Sequence, residues 1–308
     1  MSYTIKIKEE ISTIKSTKSE QIAELSAYIR NNGTINKNEI TLQTENHFIV
    51  ERIKNTIKYL YDIDVDAEII SNLNFSKRQL YQIVINKKID KIISDLCLKE
   101  EIVPEYIVGG NEEIRAYLRG AFLSSGSIND PKTSRYHMEI LVTQPEEAIF
   151  IQKLLNIFDL NAKILGREKG YMIYIKEAEK ISDFIKILGA NKAVLYYEDV
   201  RIYRDQKNKT NRLNNCEQAN MDKVFSTANE QLRQIEIIEE NDGVMLLDDR
   251  TKIALEYRKK YPEASLKELA EIISIETSKP LTKSGLNHRM RKIKELAERI
   301  IKNKNKDN

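Results

Sequence analysis

The side chains best suited to chemistry in this 308-residue chain lie near its C-terminus, and they suit recognition rather than bond-breaking. One helical-looking stretch carries Lys283, Ser284, Asn287, His288, Arg289, Arg291, Lys292 and Lys294. Asn and Arg present paired groups that read adenine and guanine edges, while Lys grips phosphates as a point charge. A second run holds Arg201, Arg204, Lys207, Lys209, Asn211, Arg212, Asn214, Asn215, Asn220 and Lys223, with no Gly or Pro among them. It reads either as a segment that contacts DNA phosphates or docks a domain, or as a polar connector whose Asn side chains satisfy a turn-rich backbone. Groups for metal or nucleophilic chemistry are dispersed. Cys97 and Cys216 are isolated, and His47, His137 and His288 are scattered, so neither a zinc site nor any other cofactor is expected.

Charge distribution supports a division of labour. From Arg250 onward there are 16 Lys and Arg against 8 Asp and Glu, a local +8 in a chain whose net charge is only +3. A basic C-terminal module on a slightly acidic body favours nucleic-acid contact through the tail end. Hydrophobic residues make up 41% and charged residues 31% of the chain, enough for modest cores beneath a highly charged surface. No segment is apolar enough for a signal peptide or a membrane span, and two lone thiols suit a reducing compartment. The expectation is a cytoplasmic, nucleoid-associated monomer.

An internal repeat defines the body. Leu25 to Ile35, ending Arg30-Asn31-Asn32-Gly33-Thr34-Ile35, returns as Leu118 to Ile128, ending Leu123-Ser124-Ser125-Gly126-Ser127-Ile128. Tyr81-Gln82-Ile83-Val84-Ile85 returns as Tyr171-Met172-Ile173-Tyr174-Ile175, and Ile93-Ser94-Asp95-Leu96 as Ile181-Ser182-Asp183-Phe184. Apolar periodicity predicts helices at 20–31, 47–61, 89–98, 112–123, 145–158 and 178–188, with strands between them. Asn32-Gly33 reads as a stop in left-handed geometry, and Pro104 marks the junction between halves. Further on, a long helix is expected from about Cys216 to Glu240, stopped by Asn241-Asp242-Gly243. Helices follow at 249–260, from a Ser265–Glu268 capping box, and from Thr282 or Ser284 to Ile301. This gives repeats at 1–104 and 105–195, a connector at 196–248, a helix-turn-helix domain at 249–301, and a disordered tail at 302–308.

The repeated helix resembles the LAGLIDADG motif of homing endonucleases. In that family two such helices pack along a pseudo-dyad, and an acid just before each Gly holds the divalent metals that cut DNA. Here the matching positions are Asn32 and Ser125, and the motif's other acidic position holds Arg30 and Leu123. A neutral amide and a hydroxyl cannot replace the carboxylates such a metal needs, so cleavage is not expected.

Three blocks narrow the resemblance: Tyr117 to Pro131, Asn211 to Asn220 with Lys223, and Ser284 to Arg289 with Arg291-Lys292-Ile293. Together they resemble the bacterial WhiA family. That resemblance implies an α+β, pseudo-two-fold tandem repeat of LAGLIDADG-like units followed by an all-α helix-turn-helix domain. It also implies non-enzymatic, sequence-specific binding of double-stranded DNA in transcription, sporulation, cell division or chromosome segregation. The alternative is a protein-interaction scaffold on a dead nuclease fold, with a protein partner on the repeat domain. One departure stands out: the loop from Ser274 to Leu281 is longer than the 3–4-residue turn of the simplest helix-turn-helix.

Overall fold

Thr17 and Glu20 form a reciprocal capping box that starts the first repeated helix, α2 (Lys18–Asn32). In the computed structural model, which describes residues 2–70, 79–133 and 135–304, a shorter helix precedes it: α1 (Tyr3–Ser12). The repeats follow as β1 (Thr34–Ile35), β2 (Ile40–Thr44), α3 (His47–Tyr61), β3 (Ala67–Ile70), β4 (Leu80–Ile85) and α4 (Ile89–Asp95). The second set is α5 (Asn111–Ser125), β5 (Gly126–Ile128), β6 (Met138–Val142), α6 (Pro145–Ile157), β7 (Lys163–Arg167), β8 (Gly170–Ile175) and α7 (Ala178–Leu188). The strands form two antiparallel sheets with the same order, β1-β2-β4-β3 and β5-β6-β8-β7. This is the α+β tandem repeat.

The two repeated helices are enclosed on every side: residues 23–29 of α2 and 116–123 of α5 are all buried. Their backbones meet at Gly120, where an added Cβ would lie 2.1 Å from the Glu24 carbonyl oxygen. Buried Glu24 also binds two arginines. It forms a two-pronged pair with Arg52 of α3 and lies 3.7 Å from Arg119 of α5. Gly33 does not take the left-handed geometry expected at the helix stop; it and its counterpart Gly126 are both extended, with φ of −82° and −74°. They are needed for space: a Cβ at Gly33 would lie 2.6 Å from the Ile29 carbonyl oxygen, and one at Gly126 2.2 Å from the Phe122 ring.

Helix α1, which alternation and periodicity did not reveal, ties distant pieces together. Tyr3 donates to the Ala193 carbonyl, Lys8 to the Leu123 carbonyl, and the Glu10 carboxylate accepts from the Lys192 and Ala193 amides. Those amides begin α8 (Asn191–Glu239), one unbroken helix of 49 residues. The expected start near Cys216 is therefore corrected. The absence of Gly and Pro from 196 to 220 lets polar residues continue the helix, so its asparagines serve no turns.

The chain divides into two units, Met1–Asp205 and Gln206–Asn308. In the second, α8 is followed by α9 (Asp249–Lys260), α10 (Leu266–Thr277) and α11 (Lys283–Lys304). Ile235 and Ile238 of α8 join Leu255, Leu269, Ile273, Leu286, Met290 and Ile293 in its core. Two further expectations change. Helix α10 runs to Thr277, so the turn before α11 spans only Ser278–Thr282, with Ser278 left-handed at φ 54°. Residues 302–304, expected in a disordered tail, are helical; 305–308 lie outside the described residues.

Among the described residues, no helix is long and apolar enough to cross a membrane.

Candidate nucleic-acid interface

Helix α11 divides by side. Leu286, Met290, Ile293 and Ala297 are buried against the core of the C-terminal unit. Opposite them, Lys283, Ser284, Asn287, His288 and Arg291 recur at helical spacing on the exposed side. Among the described residues, none of these five side chains enters an ion pair, which leaves their donors and acceptors for a partner.

The other three predicted residues have partners. Arg289 donates to the Arg250 carbonyl at 3.2 Å, and Lys292 meets the Asp248 carboxylate at 2.8 Å. Both bonds reach the start of α9, so these cations fasten one helix to another. Lys294 lies 3.7 Å from Glu230 and 3.9 Å from Glu298. Lys292 and the Thr251 amide hold the Asp248 carboxyl well below its usual range.

The basic stretch on α8 also separates. Arg204 donates to the carbonyls of Pro131 and Thr133 and stacks on the Tyr136 ring at 4.5 Å. Arg201 binds Glu198 and Glu179. These two arginines are spent within the first unit. Lys207, Lys209, Asn211, Arg212, Asn214, Asn215, Asn220 and Lys223 are exposed on the helix beyond. There Lys209, Arg212 and Lys223 fall on one side at helical spacing.

At the ends of the repeated helices, the positions that would hold metal-binding acids serve the fold. Asn32 Oδ1 accepts from the Gln43 amide at 3.0 Å, and Ser125 Oγ donates to the Leu141 carbonyl at 2.5 Å. Arg30 donates to the Cys97 and Glu100 carbonyls, and Leu123 is buried. Each helix end is thus fastened to neighbouring backbone by neutral or cationic groups. Among the described residues no cluster of His, Cys, Asp and Glu has the arrangement to hold a metal ion.

Residues the sequence did not single out are Arg258 and Lys267. Lys267 carried a signal: a lysine in the first helical turn after a Ser cap opposes the helix dipole.

Three family models cover most of the chain. The WhiA N-terminal LAGLIDADG-like domain matches residues 18–99, the WhiA LAGLIDADG-like domain 114–207, and the WhiA C-terminal HTH domain 210–297. The chain belongs to the WhiA family. A protein named "Probable cell division protein WhiA" from Enterococcus faecalis is 40% identical, the match covering 97% of this chain and 98% of that protein. A Staphylococcus epidermidis protein of the same name is also 40% identical, with the same coverage. The crystal structure of full-length DUF199/WhiA from Thermatoga maritima aligns over 97% of this chain and 99% of its own, at 25% identity and a TM-score of 0.60. The two LAGLIDADG-like repeats and the helix-turn-helix domain described above are therefore those of WhiA.

Proposed function

We propose that this WhiA-family chain is a non-enzymatic, sequence-specific binder of double-stranded DNA, acting in transcription or in cell division and chromosome segregation. The observation that carries this is the exposed side of α11, with five polar or cationic residues free of ion pairs. In a helix-turn-helix the second helix enters the major groove with its N-terminal residues against base edges. Lys283, Ser284, Asn287, His288 and Arg291 occupy that end of α11. Asn287 and Arg291 are assigned base edges, and Lys283 phosphate. Lys294 is assigned phosphate once it leaves its glutamates, whereas Arg289 and Lys292 hold the helix in place. The cell-division role rests on the names of the relatives, and transcription and chromosome segregation on the resemblance to the WhiA family. The non-catalytic reading rests on Asn32 and Ser125, which lack carboxylates and already have structural partners.

The test is fluorescence-anisotropy competition among duplexes of different sequence, using the full chain and the Asn287→Ala and Arg291→Ala variants. Each loses about 1–3 kcal/mol of discrimination at its own base position. Unchanged discrimination in both removes α11 as the reader.

A scaffold role for the repeat unit is the second reading, favoured by one difference between its sheets. Gln43, Gln82 and Glu68 stand in register across the first sheet; the matching row of the second is Leu141, Met172 and Leu165. Leu141 is 41% and Leu165 50% exposed, with Met172 buried between them. An apolar row suits a protein surface better than a phosphate backbone. If the scaffold reading holds, duplex affinity is weak and indifferent to Asn287→Ala.

A further inference from the structure

A cleft of about 220 Å³ opens in the C-terminal unit where α8, α9, α10 and α11 approach one another. Its lining includes Lys223 and Thr227 of α8, Arg258 of α9, Ser265 and Lys267 at the start of α10, and Lys283 at the start of α11. Four cationic side chains from four helices converge there, and no carboxylate lines it. The three lysines are exposed and enter no ion pair among the described residues, whereas neighbouring Lys259, Lys260, Lys292 and Lys294 are all matched to acids.

Two of these lysines sit where an isolated helix disfavours them. Lys267 and Lys283 occupy first turns, beside the positive end of the macrodipole, where a cation raises the energy and a bound anion lowers it. At the start of α10 the Ser265 side chain caps the Glu268 amide, and the Glu268 carboxylate turns back to the Ser265 amide at 2.8 Å, outside the lining. The amides of Leu266 and Lys267 precede the first intrahelical acceptor.

A separate observation also points to a ligand. Arg258 is only 1% exposed, and its Nε is buried without a hydrogen-bond partner. The guanidinium is held through Nη1, which donates to the Tyr261, Pro262 and Ala264 carbonyls. A buried donor with no acceptor is costly unless something supplies one. Lysines, a threonine, a buried guanidinium and a helix N-terminus are the donor set that proteins bring to a phosphate.

We propose that this cleft holds a backbone phosphate of the DNA duplex whose bases the exposed side of α11 reads. The inference rests on the DNA-binding reading and adds Lys223 of α8 and Lys267 of α10 to the phosphate contact given to Lys283. Lys283 belongs to both cleft and reading side, so the phosphate lies next to the bases contacted by Asn287. Lys223 brings the end of the basic side of α8 into the same contact.

The experiment measures duplex affinity of the full chain across a salt series, with Lys223→Ala, Lys267→Ala, Lys283→Ala, the triple variant and matching Lys→Arg controls. The triple variant lowers the slope of log K against log salt by about 0.9, the loss of one phosphate, each single Ala variant lowers it by less, and the Arg controls restore it; in Lys223→Ala and Lys267→Ala preference among duplexes is unchanged. Unchanged slopes in a chain that still loses discrimination with Asn287→Ala overturn the clamp and leave the reader standing. Absence of duplex binding by the unsubstituted chain overturns the DNA reading itself. Calorimetric titration with inorganic phosphate supplies another arm. Phosphate binding lost in the triple variant while duplex slopes stay unchanged assigns the cleft to a free anion and overturns the clamp.

Discussion

Asp248 performs two tasks with one carboxylate: its Oδ1 caps α9 through the Thr251 amide at 2.9 Å, and its Oδ2 takes Lys292 at 2.8 Å. Both partners hold its pKa below the ordinary range, Lys292 foremost. Glu276 is lowered likewise, to about 2, by Lys260, Tyr261 and Tyr257. A carboxylate depressed in the folded state contributes stability that is complete above its unfolded value, about 4. That contribution is lost as pH falls through the folded value. Asp248→Ala, which removes both the cap and the carboxylate, is therefore expected to cost about 1 kcal/mol at pH 7, the typical effect of a lost cap. In urea unfolding of the full chain, the gap between wild type and variant narrows as pH drops below about 4. A gap that widens in acid contradicts the assignment. Arg289 and Lys292 thus join α11 to the start of α9, which separates them from Asn287 and Arg291 despite their similar chemistry and adjacent numbers.

Among the elements, α2 and α5 show how closely the repeats depend on each other. Their backbones touch at Gly120, so Gly120→Ala places a methyl group inside the contact distance of the Glu24 carbonyl and pushes the helices apart. A loss of about 1–3 kcal/mol, or more if Glu24 is pulled from Arg52 and Arg119, is expected in urea unfolding. No loss would show that the crossing is looser than described. The repeated helices, the recurring succession of elements and the Ser265–Glu268 cap were legible because each has a local chemical signature: periodicity, echo or capping pair. What stayed hidden depended on distant partners. Helix α1 carries two overlapping patterns, Ile5 and Ile7 alternating with lysines as in a strand and buried Tyr3, Ile7 and Ile11 recurring every four residues as in a helix, and it is fixed by Ala193, Leu123 and the amides of α8. The polar run to Asn220 looks like a connector because nothing in its composition reports the helices on either side. The turn before α11, still longer than that of the simplest helix-turn-helix, looked longer than it is because Ser274 and Thr277 read as loop residues. In the fold their hydroxyls donate to the Ala270 and Ile273 carbonyls, and they belong to the last turns of α10. At the site, residue types pointed to α11. Which of its cations were already paired, and that Arg258 and Lys267 share a cleft with Lys223, required coordinates.

At the scale of the molecule, the basic excess lies from Arg250 onward, while the residues before it carry a small acidic excess. The positions a LAGLIDADG nuclease would give to metal-binding acids are occupied by Asn32 and Ser125, bonded to their own sheets. On the proposed function, DNA affinity belongs to residues 206–308 and the repeat unit adds no cutting. The most direct measurement is duplex binding and integrity for the full chain and for residues 1–205, over a salt series with Mg²⁺ present. The account predicts that only the full chain binds, that its affinity falls steeply with salt, and that the duplex remains intact. Equal binding by residues 1–205, or cleavage dependent on Mg²⁺, would contradict it.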